Sequence, residues 1–157
     1  MRARRDPEER FWPKVEKTAA CWNWIAGKNY EGYGIFWDGE RYVTAHRFAH
    51  SIAAGKIPEK MQVDHTCHNR GCVNPTHLRL ATPKQNMENP SGVRSDNRSG
   101  YRGVSWNKAY RAWTGLVTHY GVDHWLGPFA SSEEANVAVV AKRNELFTHN
   151  ILDRKSA

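Results

Sequence analysis

The stretch MQVDHTCHNRGCVNPTHLRLATPKQNMEN, residues 61–89, decides the fold of this chain. Its beginning, residues 61–63, favours a short strand. Its end, residues 78–89, favours a strand followed by a helix, and that helix carries Asn86. We therefore predict a hairpin whose connecting segment contains cysteines, followed by one short helix.

Metal-binding side chains are concentrated around this hairpin. Cys67 and Cys72 lie within it, His77 follows, and Cys21 lies far upstream. Together they form a Cys3His set, which suits tetrahedral Zn²⁺. Three cysteines are an odd number, so a disulfide framework is not expected, and a domain of about 70 residues commonly needs a metal to stabilise its small core. We predict a structural zinc site; the alternative is three buried free cysteines that act as small hydrophobic side chains.

Upstream of the hairpin, the sequence favours a second hairpin and a helix. Residues 32–37 and 41–43 alternate as strands do, and Asp38-Gly39 between them is a typical turn. Residues 45–54 place apolar side chains at helical spacing, and Gly55 is a typical helix end.

Composition changes along the chain predict its domain boundaries. Residues 1–20 are expected to form a basic N-terminal arm leading to a Phe11-Trp12-Pro13 anchor, or else a frayed tail. Residues 21–89 form the first domain, and residues 90–99, which have few apolar side chains and several turn formers, form a linker. Residues 100–150 form the second domain.

The second domain has the pattern of a small antiparallel sheet and one helix. Three strands are predicted at residues 101–106, 112–120 and 124–129. Ser131 and Ser132 precede acidic residues and mark the start of a helix. The helical spacing is given by Ala135, Val139, Lys142 and Leu146.

Length and charge limit the classes of function. With 157 residues the chain is too short for a large single-core enzyme. Lys and Arg number 23 against 16 Asp and Glu, a net charge of +7, so a polyanionic partner is expected and nucleic acid leads that class. The sequence lacks a membrane-spanning run and a signal peptide, so we expect a soluble, cytoplasmic protein.

The hairpin sequence resembles the ββα-metal nucleases of the HNH and His-Cys box families. Counted from His65, the ligands Cys67, Cys72 and His77 fall at plus 2, plus 7 and plus 12, and Asn86 falls at plus 21. The resemblance covers residues 21 to about 89 and implies that Cys21 completes the zinc site. It also implies that His65 is the general base and that Asn86 binds a catalytic divalent metal such as Mg²⁺.

The residue types suit that chemistry. A neutral imidazole accepts a proton near pH 7, and an amide oxygen is a ligand for hard Mg²⁺. Asp64 matches the second metal ligand of phage HNH homing enzymes, although regular pleating would send Asp64 and His65 to opposite faces. The family also places an Arg at the phosphate. Arg41 or Arg47 could supply it, or could instead contact the DNA backbone or lie on a solvated face.

The second domain resembles the apetala/ethylene-response-factor type of DNA-binding domain, through Tyr101–Trp106, Trp113, 125–129 and 131–135. That resemblance implies a three-stranded sheet laid in the major groove. Ser105 and Asn107 depart from the Arg-rich plant pattern, so base preference does not transfer. The DNA contacts would be Arg102, Ser105, Trp106, Asn107, Lys108, Arg111, Thr114, Thr118 and Trp125. The expected fold class is α+β: a small zinc-stabilised ββα-metal nuclease domain, then a three-stranded antiparallel sheet packed on one helix.

These features predict a site-directed DNA endonuclease of the homing type, associated with a phage or a mobile intron. It would use a His general base and one divalent metal on double-stranded DNA. The alternative is a non-catalytic, zinc-stabilised, sequence-specific DNA-binding protein, which would not need His65 and Asn86 at this spacing. A restriction or defence nuclease would share the site, and RNA cleavage is disfavoured because the second domain resembles duplex DNA readers. The sequence does not identify the target site. It also does not distinguish nicking from double-strand cleavage, or a monomer from a homodimer.

Overall fold

The computed structural model describes residues 5–155, and their contacts divide into two compact units that meet in the sequence at Asn86 and Met87. Residues 1–4, the beginning of the predicted arm, lie outside the described residues. The segment predicted as a linker, residues 90–99, belongs to the second unit.

The first unit begins with an ordered segment where the sequence predicted an arm. Helix α1, Pro7–Phe11, is capped by the Asp6 side chain, which accepts a hydrogen bond from the Glu8 N–H. Strand β1, Val15–Lys17, then pairs antiparallel with β2, Trp22–Trp24. The segment folds because the Phe11 ring is fully buried among other aromatic rings, those of Trp12, Trp24, Phe36 and Phe48.

A hairpin and a helix follow, as predicted. Strand β3, Ile35–Trp37, pairs with β4, Tyr42–Thr44, and α2 runs over Ala45–Ala54. Gly55 ends α2 with a φ of 82°, a conformation that favours glycine. Before β3, a Cβ on Gly34 would lie 2.5 Å from the Trp24 ring and 2.9 Å from the Ala45 Cβ, so this close approach requires glycine.

The segment quoted first forms a third antiparallel pair. Strand β5, Gln62–His65, pairs with β6, Leu78–Ala81, and α3, Pro83–Glu88, follows directly. The strand and helix predicted within residues 78–89 correspond to β6 and α3. The core of this unit is formed by Phe11, Trp24, Phe36, Ala45, Ala49, Val63, Val73 and Leu78.

The second unit contains the predicted three-stranded antiparallel sheet, in the order β7-β8-β9. The strands are β7, Val104–Asn107, β8, Ala112–His119, and β9, Val122–Phe129. Helix α4, Ser132–Leu146, is capped by Ser131 and packs on the sheet, and α5, Ile151–Lys155, was not predicted. Its core consists of Val104, Val117, Ala135, Val139 and Phe147.

Within residues 5–155, none of the helices has both the length and the apolar character that crossing a bilayer requires.

Candidate metal centre and neighbouring sites

The structure brings together the four predicted zinc ligands. The ligand atoms of Cys21, Cys67, Cys72 and His77 all lie within 4.8 Å of one another. His77 Nδ1 is 3.6 Å from the Cys72 Sγ and 3.8 Å from the Cys21 Sγ. In a tetrahedral zinc site with Zn–S of about 2.3 Å, neighbouring donors lie about 3.6–3.8 Å apart. The four side chains therefore can hold a metal such as zinc.

Backbone pairing brings the distant Cys21 to this cluster. Strand β2 follows Cys21, and its Trp24 N–H donates to the Gly71 carbonyl while the Trp22 carbonyl accepts from the Val73 N–H. Both hydrogen bonds are 2.8 Å long and flank Cys72. The metal ligands are therefore positioned by a short antiparallel contact between β2 and the connecting segment of the β5-β6 hairpin.

Burial sets the chemistry of the thiols. It raises the pKa of Cys67 and raises that of Cys72 to about 12. In the absence of a cation, both thiols are therefore protonated at neutral pH. A bound metal would favour the thiolate form over the protonated thiol, because coordination stabilises the thiolate and releases the proton.

His65 lies beside this cluster and is only 6% exposed. Its Nε2 is 3.0 Å from the carbonyl oxygen of Cys72. Because a carbonyl oxygen only accepts, Nε2 carries the hydrogen of this bond, and the neutral ring has its lone pair on Nδ1. Burial lowers the pKa of His65, while the Cys72 carbonyl and the Asp64 charge act in the opposite direction.

Asp64, which precedes His65 in β5, is equally buried. Arg79 lies opposite Asp64 in β6, and its Nε and Nη2 donate to the carboxylate Oδ2 at 2.9 and 2.8 Å. This partner was missed by the sequence analysis, although an Arg directly across a predicted hairpin is a recognisable signal. Arg79 balances the charge of a carboxylate that would otherwise be costly to bury.

Asn86 is held by a residue that sequence reasoning also missed. Its Nδ2 donates to the Oε1 of Gln62, at the beginning of β5, over 2.6 Å. With the amide nitrogen fixed in this way, the Oδ1 is the atom through which Asn86 could bind a cation.

Two further rings lie beside His65. The His46 ring centroid is 4.7 Å from that of His65, and the Tyr33 ring is 5.2 Å from His46 and 6.1 Å from His65. Burial, together with the nearby His65, Arg47 and His50, lowers the pKa of His46 to about 3. His46 carries little signal in the sequence, because a single histidine in an amphipathic helix is usually a structural residue.

Arg41 and Arg47 line a groove of about 230 Å³ on the first unit, together with Lys56 at its edge. Within residues 5–155, no ion pair neutralises these three cations. Asp38, also at the groove, instead accepts hydrogen bonds from the backbone N–H groups of Glu40 and Arg41. The groove therefore carries a net positive charge.

In the second unit, strand alternation separates the predicted DNA contacts into two faces. Ser105 pairs with Thr114, and Thr118 lies on the same face of β8, away from the face on which Val117 packs in the core. Trp125 lies opposite Leu116 on this outer face and is 67% exposed. Lys108 and Arg111 are exposed between β7 and β8, and Asn107 lies at the end of β7 on the outer face.

Three predicted contacts are placed differently. Arg102 donates to the carbonyls of Glu88 and Met87, at 3.2 and 3.4 Å, so its guanidinium binds backbone within this unit instead of lying on the outer face. Trp106 lies on the inner face, where its ring contacts Trp113. Thr114 is on the outer face but buried, and its Oγ1 donates to the Ser105 carbonyl at 3.3 Å.

Comparison with known proteins matches the central part of the chain to a protein family. Residues 43–88 match the family model described as HNH endonuclease. The chain is 36% identical over 137 residues to an uncharacterized HNH endonuclease of Acanthamoeba polyphaga mimivirus, covering 87% of this chain and 66% of that protein. It is 41% identical over 68 residues to Protein 7.7 of Escherichia phage T7, covering 43% of this chain and 52% of that protein. The chain spans between about half and two thirds of the length of these relatives. No solved structure matches.

Proposed function

We propose that this chain, which contains an HNH endonuclease domain at residues 43–88, is a metal-dependent DNA endonuclease of the ββα-metal type. The observation that carries the proposal is the hydrogen bond from His65 Nε2 to the Cys72 carbonyl, 3.0 Å long. It fixes the tautomer in which Nδ1 carries the lone pair. His65 is therefore a general base that takes a proton from the attacking water.

Burial supports this role, because it lowers the pKa of His65 and so keeps the imidazole neutral at pH 7. A protonated ring could not accept a proton from water. The Cys72 carbonyl also holds the Nε2 edge of the ring, so the metal-binding loop helps to position the base as well as stabilising the fold.

The residues suited to a catalytic cation are Asp64 and Asn86. A carboxylate and an amide oxygen are hard ligands of the kind that Mg²⁺ accepts together with water. Gln62 holds the Asn86 amide nitrogen, and Arg79 holds one oxygen of Asp64, so both ligands are oriented by neighbours. When bound, a divalent cation stabilises negative charge on the phosphate and on the leaving 3′ oxygen.

Zinc at Cys21, Cys67, Cys72 and His77 has a structural role in this proposal. The four protein ligands complete a tetrahedron, which leaves no position for water or substrate. Zinc would join the segment before β2 to the loop that carries the Cys72 carbonyl, and so would hold the contact on which His65 depends.

Arg41 and Arg47 are proposed to contact the phosphate backbone. Their groove has the charge that a polyanion needs, and Lys56 extends it. Either Arg could stabilise the negative charge that develops on the scissile phosphate.

The second unit is proposed to direct the nuclease to its target, as an apetala/ethylene-response-factor type domain would. Support comes from the exposed outer face of its sheet, where Trp125 is the largest side chain, and from the basic pair Lys108 and Arg111. In this proposal the base contacts come from Ser105, Asn107, Thr118 and Trp125. A target-directed nuclease of this kind fits a homing-type role on double-stranded DNA.

The test is incubation of the purified full chain with supercoiled plasmid and Mg²⁺, beside the His65→Ala variant. We expect wild-type protein to nick or linearise the plasmid, and His65→Ala to cleave about 10² to 10⁴ times more slowly while binding DNA equally well. DNA binding without cleavage by wild-type protein under every divalent cation tested would favour the alternative, a zinc-stabilised DNA-binding protein. Cleavage by His65→Ala at the wild-type rate would refute the assignment of the base.

A further inference from the structure

We propose that His46 is a positioning residue that acts through the ring of His65, an inference that rests on the proposed nuclease function. His46 is the second residue of α2, outside the β5-β6 hairpin and outside the zinc ligand set. Its ring centroid lies 4.7 Å from that of His65, with an angle of 52° between the planes. This is contact distance for two aromatic rings.

The His46 ring packs against neighbouring rings. Within residues 5–155, its Nδ1 is buried without a hydrogen-bond partner. Tyr33 lies 5.2 Å away on the same cluster of rings, and the whole His46 residue is only 7% exposed. A buried nitrogen without a partner reduces stability, and His50 shares that cost, so what distinguishes His46 is its ring contact with His65.

The His46 ring is also uncharged. Burial lowers its pKa to about 3, so at neutral pH a flat, neutral ring lies beside His65. It therefore neither competes for the proton that His65 takes nor repels a protonated His65 as a second cation would. What it can do is restrict the orientation of the His65 ring.

The Cys72 carbonyl and the His46 ring both restrict the orientation of His65. The Cys72 carbonyl holds the Nε2 edge, and His46 covers part of the ring. Without His46, the His65 ring could tilt about the hydrogen bond to the Cys72 carbonyl, and the Nδ1 lone pair would no longer point consistently at the attacking water. A misplacement of about 1 Å can cost on the order of 100-fold in rate.

The chain supplies a matched control one turn further along α2. His50 is also 7% exposed, its Nδ1 is also buried without a partner, and burial also lowers its pKa. Within the described part of the chain, however, no ring contact joins His50 to His65. A general loss of packing in α2 would affect both histidines, whereas a positioning role belongs to His46 alone.

The test compares single-turnover cleavage by the full chain carrying His46→Leu, His46→Phe or His50→Leu. Leucine fills much of the space without a flat ring, and phenylalanine keeps the ring without its nitrogens. We expect His46→Leu to cleave on the order of 10 to 100 times more slowly, with DNA affinity and zinc content unchanged. His46→Phe should restore most of the rate, and His50→Leu should cleave at the wild-type rate.

A double variant separates this inference from the proposed function. If His46 acts through His65, adding His46→Leu to His65→Ala should cause no further loss of residual cleavage. Wild-type cleavage by His46→Leu, with His65→Ala inactive, would overturn the positioning role and leave the nuclease proposal intact. Additive losses, or a His46→Phe variant as slow as His46→Leu, would also overturn it. Normal cleavage by His65→Ala would instead overturn the proposed function itself.

Discussion

Replacing Phe11 by alanine should destabilise the first unit severely, although Phe11 lies near the N-terminal end of the described residues. Its side chain is 0% exposed, and its ring centroid lies 5.0 to 5.1 Å from four other aromatic rings. Truncating a fully buried phenylalanine to alanine costs about 3–5 kcal/mol. That is a large fraction of the stability of a small domain, which is typically about 5–15 kcal/mol.

Because the chain contains two units, the assay must report on each of them. Hydrogen exchange followed by mass spectrometry does so, since peptides from β2 and β3 report on the first unit and those from β8 on the second. We expect Phe11→Ala to lower the free energy of opening for β2 and β3 by about 3 kcal/mol or more, and to leave β8 unchanged. Tyr30→Ala is the control, because Tyr30 is 97% exposed. A loss below about 1 kcal/mol for Phe11→Ala would show that α1 is not part of this core.

Three further results are expected. The purified chain should contain one zinc ion. Cys72→Ser should lose both the zinc and the protection of β5 from hydrogen exchange, because three ligands hold zinc less tightly than four. Elemental analysis that finds no zinc in active protein would contradict this. Acidification should destabilise the first unit, because the pKa of His46 falls from 6.5 to about 3 on folding. His46 alone should lower the unfolding free energy by about 2 kcal/mol between pH 8 and pH 5, with the fall beginning below about pH 7.5, and His46→Phe should remove that part of the loss. Trp125→Ala should weaken binding to the target about tenfold, or about 1.4 kcal/mol, and leave cleavage of non-target plasmid unchanged, whereas Tyr120→Ala in the β8-β9 turn should change neither binding nor cleavage.

Elements with strong local signals were predictable from the sequence. Helix α2 has the predicted bounds, residues 45–54, because apolar spacing and Gly55 both mark them. The three-stranded sheet and α4 of the second unit follow the predicted alternation and the Ser131 cap. The Cys3His cluster was predictable because few other uses exist for three cysteines and a well-spaced histidine.

Features that depend on distant contacts were not predictable. Strands β1 and β2 have three residues each, and Phe11 is buried only because rings from three other segments surround it. Arg102 lies in a basic, aromatic segment typical of a DNA surface, yet its guanidinium binds backbone carbonyls. The contact between His46 and His65 depends on how α2 packs on the β5-β6 hairpin, which no local pattern specifies.

The span of the metal ligand set has a consequence for synthesis on the ribosome. Cys21 and His77 are 56 positions apart, with the other two ligands between them near the later end. At a translation rate of about 5–20 residues per second, roughly 3 to 11 s separate the synthesis of the first ligand from that of the last. During that interval Cys21 lacks the other ligands of its cluster. The four ligand atoms of the first unit can therefore come together only after the whole β5-β6 hairpin has left the exit tunnel.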